Sequence, residues 1–328
     1  MINKHVLMSA LALAAVGLAG APDAAHAQAA YPNRPVKLIV PYAAGGGTDA
    51  IARLVAQAVS ERLGQTMVVE NMPAAGGNVA TQTAASAPAD GYTVLMANQG
   101  PMVVNPHLFK TMKVDPLTVF EPVTLITSAP LALVVPAKSP KRTVGDFFEF
   151  ARKNPGKLSY GSAGNGSASH LATVLLAQVS KIDFVHVPYR GAGPALNDLV
   201  SGQTDFMVTT MPSVAGLIEA GTVRALAVTT SERTRMLPNT PTLAEAGAKD
   251  YETGAWYGFV VPKGTPGAII ERLRAATIEA INSDLVKSRF ANEGAAPIGS
   301  TPEEFRQMMQ AESKRWAEVV KSANLSIH

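Results

Sequence analysis

Two stretches of this sequence place glycine, hydroxyl and acidic side chains between an apolar run and a helical pattern. The first is Pro41-Tyr42-Ala43-Ala44-Gly45-Gly46-Gly47-Thr48-Asp49. The second is Gly161-Ser162-Ala163-Gly164-Asn165-Gly166-Ser167-Ala168-Ser169. Glycines at such a junction let backbone N–H groups approach an anion, and the following helix presents its positive end. Neither loop contains Lys or Arg. A small carboxylate held by neutral donors therefore suits them better than a polyphosphate, which calls for cationic partners. Taken singly, Asp49 and Ser169 read equally well as helix caps, and the glycines as residues that permit positive φ. A cap needs one glycine, whereas each loop has several.

Other chemistries fit less well. Gly45-x-Gly47-x-x-Ala50 matches the dinucleotide fingerprint, and Glu70 ends the next strand where a ribose-binding acid would stand. That is the competing reading, an oxidoreductase. Against it, Pro41-Tyr42-Ala43-Ala44 separates the strand from the glycines, where the fingerprint turns tightly. A phosphate-binding loop fails because no Gly-Lys-Ser/Thr follows. Ser162, Ser167 and Ser169 lie near His170, and His186 sits at a strand end, but no G-x-S-x-G elbow supports a hydrolase. The histidines lack metal-ligand spacing and the chain has no cysteine, so neither a metal nor a cofactor is expected. Asn98 and Gln99 end a strand, and so does Arg190. In parallel α/β sheets ligands sit beyond such strand ends. Asn98 is therefore a candidate for polar lining, and Arg190 either pairs a second carboxylate or stays solvated. Trp256 and Tyr257 open a late strand, as core or as cleft wall.

The elements that must position these loops are legible in the hydrophobic pattern. Strands are expected over 36–40, 67–71 and 92–98, with helices over 50–63 and from residue 79. The pattern then restarts. A strand over 131–138, a helix over 144–153, a strand over 158–160 and a helix from 170 repeat the same order around the second loop. A strand, a glycine-broken turn, a helix and a strand follow within 183–210, and 224–230 closes the set. Two helices, 266–282 and 302–323, end the chain. Alternating strands and helices imply parallel β-α-β units. The fold expected is α/β with two units, the second inserted in the first. Residues 31–130 and 236–328 form lobe 1, and 131–235 form lobe 2.

The 328 residues are 47% apolar and 16% charged, enough for a sizeable core and too ordered in composition for bulk disorder. Lys4, an apolar run over 6–19 and Ala25-His26-Ala27 have the form of a cleavable secretory signal, residues 1–27. Its removal near Ala27 takes one Lys and one Asp and leaves the net charge at +3. So small and unclustered a surplus gives no footprint for nucleic acid. The mature protein is expected outside the cytoplasm, in the periplasm, as a monomer.

Several segments carry a family resemblance: "VPYAAGGGTD", "PADGYTVLMANQGPMVVNP", "SYGSAGNGSASHLA", "VHVPYRGAGPALNDLVSGQTDF", "LPNTPTLAEAG" and "GFVVPKGTP". In this order, from about residue 31 onward, they resemble the Bug-type solute receptors of tripartite tricarboxylate transporters. The resemblance implies a type II periplasmic-binding-protein fold, with two α/β lobes joined by a two-stranded hinge and closing on ligand. It implies a carboxylate ligand, such as a di- or tricarboxylate, an acidic amino acid or an aromatic acid. The membrane subunits of a secondary transporter, or a sensor kinase, would receive it, and no catalysis is implied. Carried over by position, ligand contacts would come from Tyr42, Ala44, Gly45, Gly46, Thr48, Asp49, Ser162, Gly166, Ser167 and Ser169. Where the family often has Lys after the second Pro-Tyr, this chain has Arg190.

Overall fold

A computed structural model describes residues 31–249 and 251–327, so the expected signal segment lies outside the described residues. The first unit is built on β1 (Val36–Val40), α1 (Gly47–Leu63), β2 (Met67–Asn71), α2 (Asn78–Ala85) and β3 (Thr93–Asn98). Both β2 and β3 run parallel to β1, which is buried at four of its five positions. A near-continuous apolar strand is what a parallel sheet covered on both faces requires. Helix α1 lays Ile51, Ala52, Val55, Ala58, Val59 and Leu63 on the core. Each large side chain fully removed from water there contributes about 1.5–3 kcal/mol.

Short helices α3 (Asn105–Leu108) and α4 (Pro116–Val119) lead into β4 (Phe120–Pro136), which links the two units. Through Pro130 this 17-residue strand pairs antiparallel with β9 (Gly254–Pro262). From Leu131 it pairs instead with β7 (Met207–Thr210) and β8 (Val223–Val228). The second unit also contains α5 (Val144–Lys153), β5 (Ser159–Ser162), α6 (Ala168–Ser180), β6 (Val185–Pro188), α7 (Ala192–Ser201) and α8 (Met211–Glu219). Strands β5 and β6 are parallel, and Phe147, Phe148, Phe184 and Phe206 form an edge-on and stacked aromatic core beneath them. The chain returns through β9, which also pairs β3, and ends with α9 (Gly267–Ile281), α10 (Asp284–Asn292), β10 (Ala296–Pro297) and α11 (Pro302–Ser322).

The architecture is two α/β lobes whose sheets share β4, with the chain crossing between them twice. The second crossing is tied to the first by one residue. The Thr229 hydroxyl accepts from the Leu131 amide (3.0 Å) and donates to the Thr253 carbonyl (2.8 Å). The Thr229 amide donates to Leu131 O, and its carbonyl accepts from Thr253 N.

Three local departures from the sequence pattern have physical reasons. Helix α1 begins at Gly47, before the first strong helix former, because the Asp49 carboxylate accepts from the Gly45 amide and stabilises an otherwise poor first turn. The first half of β4 contains Pro122 and Pro130, which argue against a strand. The structure accommodates Pro122 beside a register shift in its pairing with β9. Helix α10 buries only Val286 and Phe290, too few for its periodicity to stand out.

Candidate ligand-binding site

Four helix N-termini converge where the lobes meet. Helix α1 starts from the Gly45–Gly47 run, and α6 is capped by the Ser167 hydroxyl, which accepts from the His170 amide. Helices α7 and α8 begin at Ala192 and Met211, from Gly191 and Thr210. The first amides of each helix have no intrahelical acceptor, and each N-terminus carries about half a positive charge. The cavity they face is small, about 40 Å³. Its wall includes Gly46, Gly47, Thr48 and Asp49 from α1, Ser167, Ala168 and Ser169 from α6, Ala192 from α7, and Thr210 and Ser213 from α8. Tyr42, Asn98, Trp256 and Tyr257 contribute to it from the lobe that carries α1.

Among the described residues, Asp49 is the single formally charged one of that wall, and its charge is engaged. The carboxylate accepts from Arg53 Nε (3.0 Å), Asn71 Nδ2 (2.9 Å) and the Gly45 amide (3.1 Å). Burial pushes the carboxyl up, but the hydrogen bonds from Arg53, Asn71 and Gly45 outweigh it and hold the group below the usual carboxylate range. The negative charge is therefore fixed at the base of the loop, and the mouth of the cavity stays electropositive.

Polar groups without protein partners stand on the lobe 1 side. Among the described residues, Tyr42 Oη, Trp256 Nε1 and both amide atoms of Asn98 are buried and find no partner. These residues are 7%, 6% and 6% exposed. Gln99 behaves differently. It also lines the cavity, but with its amide in the orientation that satisfies both ends it donates to Gly254 O and accepts from Trp316 Nε1, bracing the strand end.

Seven of the twelve expected contact residues line the cavity: Tyr42, Gly46, Thr48, Asp49, Asn98, Ser167 and Ser169. The other five stand outside its wall. Ala44 is exposed, and Gly45 sits at φ +84° with its amide turned to Asp49. The Ser162 hydroxyl is bonded to His186 Nε2 (2.6 Å) and accepts from the Gly164 amide (3.1 Å). Gly166, at φ +77°, donates its amide to His170 Nδ1 and lies against Asn105. Arg190 is exposed, and its carbonyl accepts from the Ala43 amide across the lobes (3.0 Å).

Thr209, Thr210 and Ser213 are cavity residues that the sequence reading passed over. The signal was present, since Thr209-Thr210 ends strand β7 just before a helix. It lacked the glycines that marked the other two loops. Ser213 also closes the lobes together. Its hydroxyl accepts from the Gly47 amide at 2.7 Å and lies 2.8 Å from Thr210 Oγ1.

The seryl and histidyl groups are not arranged for hydrolysis. His186 stacks between Tyr160 and His170, with ring centroids 4.7 and 4.3 Å away. Burial lowers its pKa to about 4, and burial with the neighbouring His186 lowers that of His170 to about 3. The Ser162–His186 pair is packed behind the second loop rather than in the cavity wall.

Two α/β lobes meeting over a small cavity define a solute-binding protein of the periplasmic-binding class. The family model described as "Tripartite tricarboxylate transporter family receptor" matches residues 51–325, and the chain belongs to that family of Bug-type receptors. It is a receptor, not an enzyme, which sets aside the dinucleotide reading of Gly45-x-Gly47-x-x-Ala50. Among its relatives is the "UPF0065 protein in tcbD-tcbE intergenic region" of Pseudomonas sp. (strain P51). It is 39% identical over 311 residues, covering 94% of this chain and 92% of the relative. Protein BugT of Bordetella pertussis is 34% identical, covering 97% and 98% of the two chains. Two solved structures are close in shape. R. palustris Rpa4515 with adipate has a TM-score of 0.87 at 37% identity, covering 90% of this chain and 100% of that one. MatC (Rpa3494) from Rhodopseudomonas palustris with bound malate has a TM-score of 0.84 at 35% identity, covering 88% and 100%.

Proposed function

We propose that this receptor captures a small organic carboxylate between its lobes in the periplasm and delivers it to the membrane subunits of a secondary transporter. The observation that carries this reading is the convergence of the α1, α6, α7 and α8 N-termini on a cavity whose one charged side chain is already neutralised. Such a site favours a monoanionic group by oriented backbone dipoles and needs no lysine or arginine. The adipate and malate in the two related structures are carboxylates, which supports the same class here.

Contacts to both lobes would favour closure. A ligand carboxylate contacted by the α1 and α6 loops together is held better in the closed arrangement than in the open one, so binding shifts the lobes toward closure. Of the expected contacts, Gly46, Thr48, Ser167 and Ser169 would form the carboxylate clamp, and the Asp49 side chain would hold the first loop in place for it. Ala44, Gly45, Ser162, Gly166 and Arg190 would support the loops from behind or at the rim. A thermal-shift screen against mono-, di- and tricarboxylates, acidic amino acids and aromatic acids tests this. At least one acid should raise the melting temperature by several degrees when present at a hundredfold excess over its Kd, about 2.7 kcal/mol of stabilisation. Stabilisation by no acid in the panel would overturn it.

A further inference from the structure

Asn98 closes strand β3 opposite Tyr257 and lines the cavity with both ends of its amide unpaired. An amide carries a donor and an acceptor, and rotating it by half a turn exchanges the two without removing either. Its neighbours in the wall are donors: Trp256 Nε1 can only donate, and Tyr42 Oη is free to. A carboxylate, which only accepts, can satisfy Trp256, Tyr42 and Asn98 Nδ2. It cannot satisfy Asn98 Oδ1, which would face its lone pairs. Leaving one buried polar atom so opposed is costly, so ligands that supply a donor at this position are favoured over those that do not.

The donor should be uncharged. Asp49 is the one acidic side chain in the wall, and Arg53, Asn71 and the Gly45 amide already occupy its oxygens. A ligand ammonium would therefore enter a cavity that offers it no free counter-charge while four helix N-termini repel it.

Resting on the carboxylate reading above, we infer that the site selects carboxylic acids that also carry a hydroxyl or amide N–H group, and that Asn98 is the residue that reads it. The small cavity favours short acids, so matched pairs differing by one hydroxyl are the appropriate probes: succinate against malate, and glutarate against 2-hydroxyglutarate. Isothermal titration of the purified receptor should show at least one hydroxy acid binding about tenfold or more tighter than its parent. In Asn98→Leu that ratio should fall to about one. Equal or tighter binding of the parents by the unsubstituted receptor overturns the inference and leaves the carboxylate reading standing. So does a preference that survives in Asn98→Leu. Binding of neither member of either pair, together with an empty acid screen, overturns both. If Asn98→Leu does not fold, the paired acids on the unsubstituted protein still decide the selectivity, and the same ratio in Asn98→Ala decides the role of Asn98.

Discussion

The Asp49 carboxylate does its work through the backbone it holds. By accepting from Gly45 N it sets the turn that feeds α1, and by accepting from Arg53 and Asn71 it ties that helix to the end of β2. Replacing it by Ala leaves those donors without their acceptor and should cost about 1–3 kcal/mol in urea unfolding. Ligand affinity should weaken as well, because the loop loses its order. Unchanged affinity in titration calorimetry would reduce Asp49 to a structural joint. The histidine pair behind the other loop gives a separate pH signature. His170 and His186 are held neutral in the fold, at about 3 and about 4, against about 6.5 for an ordinary histidine. Between those values the unfolded chain binds about two more protons, so stability rises with pH from about 4 to 6.5 and gains nothing further from them above 7. Asp49, with its lowered pKa, contributes stability above the ordinary carboxylate range and loses it only at more acidic pH. Urea midpoints should therefore fall between pH 7 and pH 5, and His186→Gln should flatten that slope. A midpoint independent of pH over this window would contradict the burial of the pair.

At the scale of elements, the joint between the lobes is one strand and one returning segment, locked by Thr229. Thr229→Val keeps the shape and removes the hydroxyl, leaving the Leu131 amide and the Thr253 carbonyl each short of a partner. Both residues are buried, so the loss should be about 1–3 kcal/mol by urea unfolding, and a value near zero would mean the hinge repacks. The strands and helices that carry strong periodicity were legible in the sequence. β1, β2 and α5 fall where the pattern puts them, and so do both glycine loops at their strand ends. The first half of β4 was hidden by its prolines, and α10 by its two-residue apolar face. The α8 end of the cavity was hidden for another reason. Thr210 and Ser213 look like ordinary helix-start residues, and only the folded arrangement brings Ser213 to Gly47, 166 positions earlier. A local pattern can mark a helix start but cannot show what lies opposite it.

At the scale of the molecule, closure is a packing statement about Gly47. Its φ lies outside the left-handed region and it sits in the first turn of α1, so the lobe that contains it tolerates alanine there. A Cβ at that position would lie 2.6 Å from Thr210 Oγ1 and 2.8 Å from Ser213 Oγ, both on the opposite lobe. It would also stand 3.2 Å from the Ser213 amide nitrogen, which cannot swing away as a side chain can. The conflict exists only when the lobes are together, so Gly47→Ala acts on the closed state and leaves each lobe intact. Overpacking of this kind costs about 1–3 kcal/mol. On the proposed mechanism of closure around ligand, the same amount should be lost from binding, about a 5- to 150-fold weakening of whichever acid the screen identifies. The melting temperature without ligand should change little. Small-angle scattering should show the unsubstituted receptor contracting on ligand addition and the variant contracting less. Full affinity with full contraction in Gly47→Ala would mean that the lobes do not need the Gly47–Ser213 contact to hold their ligand.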